Sequence, residues 1–258
     1  MTEEHTKQTE HYEEYNYNNF GSSWKFIITL ISLITIALGN LDGAWEGVLK
    51  IWDFGHSTFT NQPSHNHLNQ IYINASSNIL GETFGPPVYI KHTTNGDDIY
   101  YYKDKHFILS AITKNNTIAA FLVFPDSDFK PNTSEHAGGK DYLSQPFSAH
   151  ENLVSSHSNI ARVGNYYIEE ITGGKFDMLY SSVGGVSEYL GVIEPEKMKV
   201  LADFNDKLMM EEETKESLQK VRLAFTPNFY GYSSVGIAEL EQAILTFLEY
   251  ELITNKIG

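Results

Sequence analysis

The chain has 258 residues, with 18 Lys and Arg against 33 Asp and Glu, so its formal net charge at pH 7 is −15. It contains no cysteine, which excludes disulfides, thiolate metal sites and cysteine nucleophiles. A nucleic-acid partner is also not expected, because proteins that bind phosphate backbones need clustered cations. With 41% hydrophobic residues, the chain has the composition of a folded protein.

A long apolar run near the start predicts a single transmembrane helix over residues 24–44. The most apolar part extends from Phe26 to Leu38 and carries no charge. Trp24 and Trp45 would be about 31 Å apart along a helix, which matches the ~30 Å hydrocarbon core of a bilayer. Each indole could therefore lie at one membrane–water boundary, and these four residues form the predicted anchor.

Two other interpretations of this apolar run remain open, a buried core helix and a cleaved signal peptide. A signal peptide should begin with a positively charged segment, whereas residues 1–23 are acidic and rich in Tyr and Asn. We therefore predict an uncleaved anchor that follows a disordered tail. The following domain is expected outside the cytoplasm, although the few flanking lysines leave the reverse orientation open.

Residues 45–66 are predicted to form a juxtamembrane helix and linker, and residues 67–258 a folded domain with possible sub-units at 67–125 and 140–258. Within 67–125 we predict a short helix ending at Phe84, followed by aromatic and β-branched strands. These strands are separated by Asn, Asp, Gly and Lys turns, which is typical of an antiparallel meander. The predicted strands are 99–102, 106–112 and 117–124.

In the second half, strands are predicted at 165–171 and 176–182, and residues 226–231 are interpreted as a turn-rich loop. The apolar spacing then predicts helices over 194–207, 213–225 and 237–253. The predicted fold class is therefore α+β, with antiparallel meander sheets and packed helices after one N-terminal transmembrane helix.

Residues 67–125, with the helix ending in Phe84-Gly85-Pro86 and the strands that follow, resemble the helix-plus-hairpin domain of SmpA/BamE-like outer-membrane-assembly lipoproteins. The chain lacks the lipid-bearing cysteine of that family. The whole chain also resembles uncharacterised bacterial single-pass membrane proteins that carry a domain of unknown function. This second resemblance implies a location in the bacterial inner membrane, with the domain on the periplasmic side, and implies no activity.

Few residues suggest a catalytic or metal-binding site. His65 and His67 are the best metal candidates, since alternate residues of a strand share a face; the competing interpretation is a solvated polar loop. The adjacent acids Glu169 and Glu170 could in principle act as an acid–base pair, but acids on a solvated strand face are commoner. The usual phosphate-loop, dinucleotide and nucleophile-elbow patterns are absent, so no cofactor is expected.

Tyrosine is abundant, and its rigid, amphipathic ring suits protein interfaces. We select Tyr100, Tyr102, Tyr230 and Tyr232 as interaction candidates, with burial in the core as the alternative. The leading hypothesis is a membrane-anchored, non-catalytic protein that presents its domain to an unidentified protein partner. The alternatives are a metal-assisted hydrolase with an unrecognised site and a single-pass ligand sensor or effector.

Overall fold

An eight-stranded antiparallel sheet organises the part of the chain that the structure describes. This structure is a computed structural model, and it describes residues 61–133, 141–172 and 178–254. Within those ranges, no helix is both long enough and apolar enough to cross a bilayer. The tail 1–23, the predicted anchor at 24–44 and most of the linker lie outside the described residues, so the transmembrane helix stays a prediction.

The sheet consists of two four-stranded meanders. The first contains β1 (Tyr89–His92), β2 (Asp98–Lys103), β3 (Phe107–Lys114) and β4 (Thr117–Pro125). The second contains β5 (Leu153–Ala161), β6 (Gly164–Ile171), β7 (Ser181–Ser187) and β8 (Phe229–Ser233). The last strands of the two meanders pair with each other, with Leu122 of β4 opposite Gly231 of β8. As a result, β1 and β5 form the two edges of the sheet.

Helices pack on both faces of this sheet. Before β1 the chain forms α1 (Gln62–Leu68) and α2 (Asn78–Phe84), and between β7 and β8 it forms α3 (Pro195–Met209) and α4 (Lys215–Ala224). After β8 come α5 (Ile237–Leu240) and α6 (Phe247–Thr254). Single 3₁₀ turns lie at Phe147–Ala149, Glu188–Leu190 and Glu241–Ala243. The α+β class and the antiparallel meander predicted from the sequence are confirmed.

The alternation of side chains along each strand divides the core between the two faces. Tyr101 of β2 and Ile168 of β6 point to the face that packs against the C-terminal segment 237–254. Their neighbours Tyr102 and Tyr167 point to the opposite face, which packs against α1 to α4 and the segments beside them. Because both faces are covered, β4 is almost continuously apolar rather than alternating.

The sheet is curved around the C-terminal segment. Oε2 of Glu241 lies 3.2 Å from Nε2 of His157 on the edge strand β5. The next residue, Gln242, accepts a hydrogen bond from the backbone N–H of Thr94, just after the opposite edge strand β1. In a flat eight-stranded sheet the two edges would be about 34 Å apart. The adjacent residues Glu241 and Gln242 contact the two opposite edges of the sheet, so the edges must be much less than 34 Å apart. The sheet is therefore curved, and the C-terminal segment lies on its concave face.

Three local predictions in the second half are wrong. The strand predicted at 176–182 lies at Ser181–Ser187, and the predicted loop 226–231 contains most of the central strand β8. The helix predicted over 237–253 is interrupted, with Ile244 in extended conformation between its two parts. In each case contacts distant in sequence decide the conformation, which local periodicity does not report.

Candidate protein-docking surface

Among the described residues, the edge strand β1 has a neighbouring strand on one side only. The backbone N–H of Thr93 donates to the carbonyl of Asp97 at 2.8 Å, which makes this a hydrogen-bonded pair of the β1–β2 ladder. Such pairs alternate along an antiparallel ladder, so Lys91 and Tyr89 also bond to β2. The backbone groups of Ile90 and His92 therefore point away from the sheet.

Large apolar side chains lie on both sides of this edge. On the strand, Val88 is 53% exposed, Ile90 47% and Tyr89 39%. On α6, Leu248 is 60% exposed and Leu252 58%. Val88, Tyr89, Leu248 and Leu252 line one open groove of about 680 Å³ between the strand and the helix. We call these five residues, together with the free edge of β1, the β1–α6 surface.

The charged groups of the β1–α6 surface are paired within the domain. Glu249 accepts hydrogen bonds from Nζ of Lys91 at 3.2 Å and from the backbone N–H of Thr246 at 2.8 Å. Tyr89 also bonds to Glu249, and burial together with this carboxylate raises the pKa of the Tyr89 hydroxyl. Lys103 donates from Nζ to the carbonyl of Ile253 at 2.9 Å. What the surface offers to another molecule is therefore apolar area and backbone hydrogen bonds.

The opposite edge, β5, has a different character. Its central residues are Ser155, Ser156, His157, Ser158 and Asn159, so its surface is polar. Helix α3 packs along it, and the hydroxyl of Ser158 donates to the side-chain oxygen of Asn205. Polar residues are a usual way to prevent an edge strand from pairing. In contrast, β1 combines backbone groups that face outward with adjacent apolar side chains.

Sequence reasoning missed this surface because it assigned Leu248 and Leu252 to the core. The buried side chains of α6 are instead Tyr250 and Ile253. A weak signal was that the apolar residues of α6 lie on several sides of the helix rather than in one stripe.

The metal candidates His65 and His67 both lie on α1. Nδ1 of His67 is 2.8 Å from Oδ2 of Asp104 in the β2–β3 turn, and the hydroxyl of Ser64 donates to Oδ1 of the same carboxylate. The ring of His65 instead packs on Phe129 at 4.7 Å between centroids. Among the described residues, no three acidic, His or Cys side chains form a metal-binding group. These contacts fasten α1 to the sheet, and a metal role for the two histidines stays a prediction.

Most of the tyrosines predicted for an interface lie inside the domain. Tyr102, Tyr230 and Tyr232 are 4, 5 and 6% exposed and belong to the core beneath α1 and α2. Burial raises the pKa of Tyr102 to about 12. Tyr100 is half-buried, and its hydroxyl donates to Asp98 at 3.0 Å. The structure does not bring the four together on one exposed face, and contact with a partner through them stays a prediction.

The adjacent acids Glu169 and Glu170 face opposite sides of the sheet. Glu169 is fully buried and accepts hydrogen bonds from Arg222 and from the hydroxyl of Tyr167. Glu170 accepts one from Ser155 at 2.9 Å. Since consecutive strand residues point in opposite directions, the two carboxylates do not face one substrate. Glu169 is thus part of a buried ion pair, which the sequence alone did not indicate.

No protein-family model matches the chain, and no curated protein matches it. Among solved structures, it is similar to a cysteine-rich secretory protein from Staphylococcus aureus subsp. aureus Mu50, with 14% identity, a TM-score of 0.27 and coverage of 44% of this chain and 39% of that chain. It is also similar to an extracellular protein containing a SCP domain from Bacillus anthracis str. Ames, with 10% identity, a TM-score of 0.32 and coverage of 69% and 49%.

The chain thus spans less than half the length of each of these bacterial proteins. Similarity at this level assigns neither a fold nor a function to it. The resemblances to the SmpA/BamE-like domain and to single-pass membrane proteins with a domain of unknown function gain no support from the comparisons.

Proposed function

We propose that this chain is a membrane-anchored, non-catalytic binding protein that presents its α+β domain to a protein partner, and that the partner docks on the β1–α6 surface. One observation supports the docking site above all. An edge strand whose backbone groups point outward lies beside four exposed apolar side chains that line a groove.

The energetics of this surface favour a protein over a small polar ligand. A strand added to β1 would satisfy the outward-facing backbone groups of Ile90 and His92, as in other cases of strand addition. Side chains of that strand would cover Val88, Leu248 and Leu252, and burial of apolar area contributes about 25 cal/mol per Å². The charges beside the groove already have partners, so docking would leave no unpaired charge behind.

The anchor part of the proposal comes from the sequence of residues 24–44. A tether would keep the domain beside a bilayer and limit its partners to proteins that reach the same membrane. It predicts that the full chain sediments with membranes after cell lysis and resists extraction at alkaline pH. Recovery of the intact chain in the supernatant without detergent would contradict the anchor and leave the docking site to be judged separately.

Photo-cross-linking in intact cells tests the docking site. A photo-reactive amino acid is placed in the full chain at Val88 or at Leu248. The matched controls are Val154 on β5, which is 56% exposed, and Leu223 on α4, which is 62% exposed. We expect a discrete protein adduct of the same mass from Val88 and from Leu248, and no such adduct from the two controls.

Equal labelling at all four positions would indicate random collisions, and no adduct at Val88 or Leu248 would argue against a protein partner at this surface. Circular dichroism of the purified variants verifies that each retains the fold. The adduct mass also carries information about the partner, since two linked copies of the chain would have twice 29.2 kDa.

A further inference from the structure

We infer that the partner at the β1–α6 surface is a second copy of this chain, paired through β1 across a two-fold axis. This inference rests on the docking site proposed above and names its occupant. In the pair, the two β1 strands run antiparallel and the two sheets become continuous. The two α6 helices flank the junction on the same face, where their exposed leucines approach each other.

The apolar area matches the requirement of a specific dimer. With about 200 Å² for each fully exposed large side chain, the five apolar residues of the surface leave roughly 500 Å² open to solvent. Two copies would then bury roughly 1,000 Å² of apolar side chain, which reaches the lower bound for a specific interface before backbone atoms are counted.

The shortness of β1 favours a folded partner over a flexible peptide. The strand has four residues, of which only Ile90 and His92 direct their backbone groups outward. So few hydrogen bonds, each contributing about 1 kcal/mol, would barely offset the ordering of a disordered segment. A partner with a preformed edge strand and an apolar helix beside it avoids that cost. The chain itself carries both elements.

Charge selects the register of the pair. An antiparallel two-fold axis through Ile90 pairs the outward backbone groups of Ile90 in the two copies, and an axis through Lys91 pairs Ile90 of each copy with His92 of the other. An axis at Lys91 places two lysines directly opposite each other, which is destabilising. An axis at Ile90 places Ile90 against Ile90 of the second copy, and Lys91 opposite Tyr89. We therefore assign the axis to Ile90.

The net charge of the chain gives the association a definite salt dependence. Each copy carries a formal charge of −15, so two copies repel each other at long range. At the junction, the axis at Ile90 keeps the two Lys91 side chains from facing each other, and each stays paired with Glu249 of its own copy. Because salt screens the long-range repulsion and leaves apolar contacts intact, the dimer should be favoured at about 0.5 M salt over 0.05 M.

Disulfide trapping tests the pair directly, because the full chain has no cysteine of its own. The test variant is Ile90→Cys, with Lys91→Cys as the register probe and Val154→Cys on the other edge as the matched control. Opposed residues of a hydrogen-bonded antiparallel pair have Cα atoms about 5.5 Å apart, within the range that a disulfide spans. Mild oxidation is applied in membranes and in detergent, followed by non-reducing electrophoresis.

We expect Ile90→Cys to give a reducible dimer several-fold more abundant than Lys91→Cys, with none from Val154→Cys. Adding Leu248→Glu to Ile90→Cys should abolish the dimer, whereas adding Leu223→Glu should leave it intact. Absence of a dimer from both β1 cysteines, or equal dimer from Val154→Cys, would overturn the pairing. If photo-cross-linking at Val88 still yields an adduct with a different protein, the docking site stands and only the second copy is rejected.

Discussion

Arg222 on α4 and Glu169 on β6 form an ion pair that ties the helical layer to the centre of the second meander. Nε of Arg222 donates to Oε2 of Glu169 at 2.9 Å, and Nη2 donates to the carbonyls of Phe147 and His150. The carboxylate is completely buried, and Tyr167 donates a further hydrogen bond to it at 2.9 Å. One guanidinium thus joins α4, β6 and the segment leading into β5.

Replacing the arginine should be strongly destabilising. Arg222→Met leaves the buried carboxylate of Glu169 without its cation, and such a loss typically costs about 3–5 kcal/mol. Chemical denaturation of the purified protein measures the change in the free energy of unfolding. The double variant Arg222→Met with Glu169→Leu removes both charges and should recover a large part of that loss. A single variant as stable as the parent would show that the pair does not act as described.

The loss caused by Arg222→Met should depend on pH in a known direction. Burial already raises the pKa of Glu169, against the lowering effect of Arg222, so removal of the arginine raises the pKa further. A carboxyl group whose pKa is higher in the folded state takes up a proton on folding. The folded variant therefore gains relative stability as pH falls. Denaturation at pH 7 and pH 5 should give a smaller difference from the parent at pH 5, and a larger difference there would contradict the assignment.

Two buried tyrosines near this ion pair should respond oppositely to loss of their hydroxyls. Tyr167→Phe removes a hydrogen bond to Glu169, so we expect a loss of about 1.5–3 kcal/mol. The hydroxyl of Tyr142 is buried without a hydrogen-bond partner among the described residues. Tyr142→Phe should therefore leave the stability unchanged or raise it slightly. Thermal unfolding of the two variants side by side provides the comparison, since both make the same chemical change.

Asp104 should hold α1 on the sheet. Its side chain, 6% exposed, contacts Ser64 and His67 and also accepts a hydrogen bond from the backbone N–H of His106 at 3.1 Å. Asp104→Ala leaves these groups unsatisfied, so we expect a loss of about 1–3 kcal/mol and faster amide hydrogen exchange over 62–68. The control Asp128→Ala, at an exposed position, should change neither quantity. Unaltered exchange in α1 would refute the role of Asp104.

Two glycines make a matched test of packing. A methyl group at Gly185 on β7 would overlap the ring of Phe229, so Gly185→Ala should destabilise the domain by about 1–3 kcal/mol. A methyl group at Gly81 in α2 would meet no atom within 4 Å. Gly81→Ala should therefore stabilise by about 0.5–1 kcal/mol through helix propensity. Opposite shifts of the unfolding midpoint would verify both environments.

The first meander was predictable because its pairing is local. Strands β2, β3 and β4 are joined by short turns, and their predicted boundaries differ from the observed ones by two residues or fewer. The helices α3 and α4 were also recognised from their apolar spacing and from Pro195 at the start of α3. In these segments the local sequence and the tertiary contacts favour the same conformation.

The second meander was harder to predict because distant contacts define its strands. β7 contains Gly184 and Gly185, whose missing side chains are replaced by the rings of Tyr142 and Phe229. β8 contains Gly231 and follows Pro227, and it becomes a strand by pairing with β4 and β7. Glycine lowers the strand propensity of both segments, so the sequence predicted a strand that ended at 182 and a loop over 226–231.

The sequence carried only a weak indication of the docking surface. Leu248 and Leu252 have the spacing of a core-facing helix, and only the packed position of Tyr250 and Ile253 reveals which side of α6 is buried. Similarly, which strand lies at the edge is a property of the sheet order.

The position of the C-terminal segment on the concave face has a consequence for biosynthesis. Residues 237–254 fill one side of the sheet, and β8, which joins its two halves, is completed only at Ser233. The core therefore cannot close until the chain has been synthesised through the C-terminal segment at residues 237–254. A product that ended before residue 237 would have an open sheet and an exposed apolar interior, and it would be a substrate for proteolysis rather than a smaller working protein.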